Sequence, residues 1–161
     1  MTNDEPVPYW EAFRAFILIR HPEWSSRFSV ARDRPDEEPR FRLSIPSEHP
    51  TITAPLVVEI ADREHGGSID LYWGESFDHT FRNGMPMGAH FERVLAKVGA
   101  WMDDRWVFVL AYDLATGRRN GWGRFPHPLP GEILLRADQE GRRLRYWSWH
   151  GTHDGEWPPS R

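Results

Sequence analysis

The chain has no cysteine, and among its 20 basic residues only one lysine, Lys97. The missing cysteine excludes disulfides, zinc ribbons, iron–sulfur clusters and thiol nucleophiles together. It also favours a reducing compartment, so the expected location is the cytoplasm. Long apolar runs are missing as well. The longest, Trp106–Tyr112, falls far short of the ~20 residues that a membrane helix needs, so no membrane association is expected. Residues 1–8 carry Asp4 and Glu5 in place of a basic segment before an apolar run, so no cleavable leader is expected. A strong positive charge is absent too. The net charge is −4, which argues against coating a nucleic acid. The familiar catalytic signatures are also missing: there is no glycine-rich phosphate loop, dinucleotide fingerprint, nucleophile elbow or His-Glu-x-x-His.

What is abundant is aromatic. Nine Trp and nine Phe stand in 161 residues, a length that suits one domain with its own core. The arginine bias fits a GC-rich coding sequence, and it also fits a surface where guanidinium groups fork and stack on rings.

Periodicity places most of these residues. Trp10, Phe13, Phe16 and Ile17 recur at helical spacing over Pro8–Arg20, with Asn3 or Asp4 as the cap, Pro6 or Pro8 in the first turn, and His21-Pro22 as the stop. Met87–Met102 carries a second apolar stripe through Phe91, Val94, Leu95 and Val98. Strands are expected at Arg27–Val30, Phe41–Ile45, Leu56–Ile60, Ser68–Trp73, Phe77–Arg82 and Trp106–Tyr112, then at Glu132–Arg136 and Arg142–His150. Asp113–Gly123 reads as the tip of a hairpin whose second arm is short. Asp33, Asp36, Glu37 and Glu38 form an acidic loop, and a turn runs from Asp62 to Gly67. The expected fold is one α+β domain over residues 1–161, with two amphipathic helices packed on one mostly antiparallel sheet.

Three constellations could carry chemistry. His150 and His153 with Asp154 have a metal-ligand spacing, but a third ligand such as His79 or Asp78 would have to approach. Glu75, Asp78 and His79 combine carboxylate with imidazole, the minimum for acid–base work, and His79 also alternates with Phe77 and Phe81 as a packed ring would. Arg143, Arg145, Trp147 and Trp149 share one face of the last expected strand. That composition suits either an interface hot spot or the core beneath a helix.

Asp70–Glu75, the run Asp78-His79-Thr80-Phe81, the strand Trp106–Tyr112 and the ending Tyr146–Trp149 with Gly151, Thr152 and Asp154 together carry a resemblance. They resemble a group of small bacterial α+β proteins, some of which look like immunity proteins encoded beside polymorphic toxins. Phe81-Arg82 departs from the group, which often has a second histidine there. Asp78, His79, Trp149 and Asp154 fall on group positions, with no catalytic role attached.

The leading expectation is therefore a protein-binding module that the resemblance links to a toxin. Its contact face would draw on Glu75, Asp78, His79, Arg145, Trp147, Trp149, His150 and Asp154. No cofactor, metal or catalytic residue is assigned. The alternative is a small enzyme with His79 or His150 as base, Asp78 or Asp154 orienting the ring, and Arg145 holding an anion.

Overall fold

Strict alternation of apolar and polar residues along neighbouring strands builds a sheet that has one face to bury. The computed structural model describes residues 7–32, 39–61 and 67–158. The expected caps Asn3 and Asp4, Pro6, the loop acids Asp33, Asp36, Glu37 and Glu38, and residues 62–66 lie outside these. The chain divides into two compact units, Met1–Pro46 with Ala54–Leu95, and Ser47–Thr53 with Ala96–Arg161.

In the first unit, α1 (Tyr9–Arg20) runs into a 3-10 helix (Pro22–Arg27). The strands β1 (Phe28–Ala31), β2 (Arg40–Ile45), β3 (Leu56–Ala61), β4 (Ser68–Trp73) and β5 (Ser76–Phe81) follow. They pair in that order as one antiparallel sheet. Leu43, Ile45, Leu56, Val58, Ile60, Ile69, Leu71 and Trp73 alternate onto one side and are buried. Each contributes roughly 1.5–3 kcal/mol for leaving water. The apolar stripe of α1 buries Phe13 and Ile17, and Trp10 stacks flat on Phe41 at 3.9 Å between centroids. Phe91, on the first turns of α2 (Met87–Met102), meets Phe13 edge-on at 5.2 Å. His21 ends α1 before Pro22, as X-Pro geometry requires.

The start of α1 is locked by a glycine. Gly67 has φ +43°, and a Cβ there would lie 2.4 Å from Cζ of Tyr9. The Tyr9 hydroxyl is hydrogen-bonded to Nδ1 of the buried His90, and burial pushes that phenol's pKa well up, keeping it neutral.

The second unit holds the sheet order β7-β6-β8-β9, from β6 (Trp106–Asp113), β7 (Arg119–Pro126), β8 (Arg142–Trp147) and β9 (Gly155–Trp157). The helix α3 (Gly131–Gln139) covers one face through Ala137, against Val107, Val109, Ala111 and Leu144. Trp101, on the last turn of α2, packs edge-on against Phe108 of the other face at 4.6 Å.

The α+β class is as expected, but the described residues form two antiparallel sheets and three α-helices where one sheet and two helices were expected. Glu132–Arg136 is helix, not strand. The run Ile133-Leu134-Leu135 looks β-like alone, but Ile133 and Ala137 face the sheet at i, i+4 while Leu135 is exposed, and Arg136 pairs with Glu140 one turn on. The second arm of the hairpin, β7, is eight residues long, not short. Its Gly121 and Gly123 read as turn residues, yet they sit in register opposite Ala111 and Val109. The last long strand stops at Trp147. Among the described residues no helix is long and apolar enough to cross a membrane.

Gly67→Ala is expected to destabilise the protein by about 2–4 kcal/mol, because a left-handed backbone and a clash with the Tyr9 ring act together. Gly84→Ala, where φ is +79° but no atom lies within 4 Å of the added carbon, should cost only about 1 kcal/mol. Chemical unfolding of the two variants measures the contrast.

Candidate functional site

Five strands present two faces, and the residues opposite the buried side form a continuous polar and aromatic surface. Register places Ser29 beside Arg42, Arg42 beside Glu59, Glu59 beside Asp70 and Asp70 beside His79. On β5, an end strand of this sheet, Phe77, His79 and Phe81 form a row, with ring centroids 5.5 Å and 4.7 Å apart. Tyr72 of β4 continues it, 5.1 Å from Phe77. His79 is exposed, and Phe81 keeps 50% of its surface in water. Glu75 is exposed in the tight turn ahead of this row. Asp78 faces the other way, since neighbouring strand residues point to opposite sides and its partner Leu71 is fully buried. Asp78 therefore does not orient the His79 ring from the same face.

The other expected contact residues belong to the second unit. Arg145 and Trp147 share a face of β8, with the guanidinium carbon 5.7 Å from the indole centroid, and Arg145 pairs with Glu156 at 3.0 Å. Trp149 does not join them. The chain leaves the strand at Ser148, and Trp149 is only 1% exposed, a core residue. In its place the register brings Trp122 of β7, 56% exposed, to the row that holds Leu110 and Arg145. Alternation through Trp122 and Arg124 could have revealed it, had the glycines beside them not resembled a turn.

Asp154 and His150 are drawn into separate fastenings. Nδ1 of His49 accepts the backbone N–H groups of Thr51 and Ile52, both at 3.0 Å. Its Nε2–H therefore donates to Asp154, at 2.8 Å. The second Asp154 oxygen accepts the Ser148 N–H at 3.0 Å, and the Ser148 hydroxyl accepts the His153 N–H at 2.9 Å. Gly151 completes this loop with φ +75°, and a Cβ there would lie 2.9 Å from Cδ of Pro50. The late Ser148–Asp154 segment is thus a clasp on residues 49–52. His49 and Asp154 resemble an acid–base pair, but the His49 side chain is fully buried and both ring nitrogens are engaged.

His150 turns elsewhere, Nε2 to Glu48 at 3.0 Å and Nδ1 to Asp104 at 3.1 Å. Burial pushes the Asp104 carboxyl up, but hydrogen bonds from the Thr152 hydroxyl and from the backbone and ring of His150 outweigh it and hold the pKa below the usual range. His153 stacks on His127 at 3.7 Å. Burial lowers the His127 pKa, and the neighbouring His153 lowers it further, against a small opposing pull from Asp104. The two histidines of the expected metal spacing thus send their rings to different neighbours. Among the described residues no group of three His, Cys, Asp or Glu is arranged to hold a metal ion.

Comparison with known proteins finds no matching family model, no matching curated protein and no matching solved structure.

Asp154→Ala should lower stability by about 2 kcal/mol, because it strands the buried His49 donor and the Ser148 amide; thermal unfolding measures the loss. For His127, the folded pKa lies below the unfolded one. Its contribution is therefore intact above the ordinary histidine value of about 6.5 and is lost as pH falls through the lowered one. The melting temperature should drop as pH falls below about 6.5, and His127→Gln should flatten that part of the profile.

Proposed function

We propose that this chain is a protein-binding module of the immunity type, which neutralises a toxin in the cytoplasm and engages neither nucleic acid nor membrane. The observation that carries the reading is the row Phe77–His79–Phe81 on the outer side of β5. Exposed aromatic residues in contact with one another have a cost in water that isolated ones do not, and a binding partner relieves it. An end strand adds a line of main-chain donors and acceptors that a partner segment can extend. The acidic excess of the whole chain falls in the first unit, whereas acidic and basic residues nearly balance in the second. A basic partner suits that unit, with Glu75 on the rim and charge steering the approach. The toxin as partner class comes from the sequence resemblance. Arg145, Trp147 and Trp122 belong to the sheet of the second unit and are not needed for this contact.

The test is affinity co-purification with the products of the genes adjacent to its own, followed by calorimetry. Phe77→Ser with Phe81→Ser should weaken the complex by about 100-fold or more, since each anchor at a hot spot is worth about 2 kcal/mol. The melting temperature should change little. Affinity unchanged by this double substitution would remove β5 from the contact, and failure of every adjacent product to bind would overturn the toxin reading.

A further inference from the structure

The same outer sheet face contains a second feature, a shallow groove of about 510 Å³ over β1–β4, lined by Ser29, Arg40, Arg42, Ser44, Val57, Glu59 and Tyr72. Its floor is an ion cluster built round one buried carboxylate. Glu59 is 5% exposed, with one oxygen accepting from Arg40 at 3.2 Å and the other from Nε of Arg42 at 2.5 Å. A buried carboxylate that grips a guanidinium by its Nε–H fixes the plane of the fork. The terminal amino groups of Arg42 have no carboxylate or carbonyl partner among the described residues. On the same sheet face, Ser29 is the register partner of Arg42 across the strand pair, and Ser44 follows two residues along β2. An oriented guanidinium with hydroxyl donors at neighbouring positions of the same face is a donor set that suits a tetrahedral oxyanion.

The opposite end of the groove has a different character. Tyr72 lies in register beside Val57, which lies beside Ser44, so the row runs from an aromatic ring over an apolar residue to a hydroxyl. Burial, with Asp70 and Glu59 nearby, pushes the Tyr72 phenol's pKa up. The phenol stays neutral, and with Val57 beside it that end offers an uncharged ring an aromatic and apolar surface. The strand bearing Ser29 and the strand bearing Tyr72 lie three strand spacings apart, about 14 Å, and the volume falls within the usual span for small-molecule sites.

We propose that this groove binds a phosphate monoester carrying a planar ring, a ligand of mononucleotide size. The phosphate lies on Arg42, Ser29 and Ser44, and the ring lies on Tyr72. Glu59 is a positioning residue that fixes the Arg42 fork through its Nε–H, and Arg40, paired with the other Glu59 oxygen, lines the groove beside it. The site meets the β5 row only at Tyr72, whose ring touches Phe77, and its phosphate end on β1 and β2 takes no part in that contact.

The probe is adenosine 5′-monophosphate, titrated into the full chain and followed by amide chemical shifts, with adenosine and inorganic phosphate in parallel. Saturable shifts on β2–β4 with a Kd below about 1 mM are expected. Adenosine and phosphate should each bind about tenfold or more weakly, because each makes only half of the contacts. Arg42→Gln should weaken the monophosphate by about tenfold or more. Because that change also uncovers Glu59, Ser29→Ala with Ser44→Ala provides a second reading, expected to weaken the monophosphate and leave adenosine unaffected. Tyr72→Leu should weaken both the monophosphate and adenosine. No saturable shift, equal binding of adenosine and its monophosphate, or binding unaffected by these substitutions would overturn the proposal.

Discussion

The five-stranded sheet must keep its two faces different, and the rest of the first unit depends on that constraint. Each strand pair is fixed in register by the need to send Leu43, Val58, Ile69 and Leu71 to the same side. A slip of one residue in β4 would expose Ile69 and Leu71 and bury Asp70. The apolar side is closed by α1 and the start of α2, with the Tyr9 ring seated on Gly67. The residues on the other side are then free of packing duty. The outer face can bear a buried Glu59 held by two arginines, exposed rings and hydroxyl groups, because folding asks little of them.

The second unit spends its polar residues differently. His49, Asp154, Ser148, Asp104, His150 and Thr152 form hydrogen bonds that fasten loops, and the fully buried His49 uses both ring nitrogens. Imidazole beside carboxylate is therefore a poor indicator of catalysis in this chain. The same residue types act as a clasp when no ring nitrogen remains to take a proton from a substrate.

Much of the fold was legible because it is local. The bounds of β4 and α2 follow from period two and from the 3.6-residue stripe, since Ile69, Leu71 and Trp73, or Phe91, Val94 and Val98, declare their face over a few turns of chain. The helix α3 is ambiguous in sequence because three consecutive apolar residues satisfy both periods, and only its packing against Leu144 chooses between them. The clasp was invisible for a different reason: His49 and Asp154 are 105 residues apart, and nothing near either one names the other. Of the expected contact residues, His79 and Arg145 stand where alternation put them. Trp149 does not, because alternation ends where the strand does.

The proposed recognition role of the β5 edge is tested most directly by amide hydrogen exchange on the chain, alone and with whichever adjacent gene product co-purifies with it. Half of the amides of an end strand point away from the sheet and exchange without local opening. Slowed exchange concentrated in Ser76–Phe81 on complex formation is the expected result. Exchange in Ser76–Phe81 that stays unchanged while another segment becomes protected would contradict it.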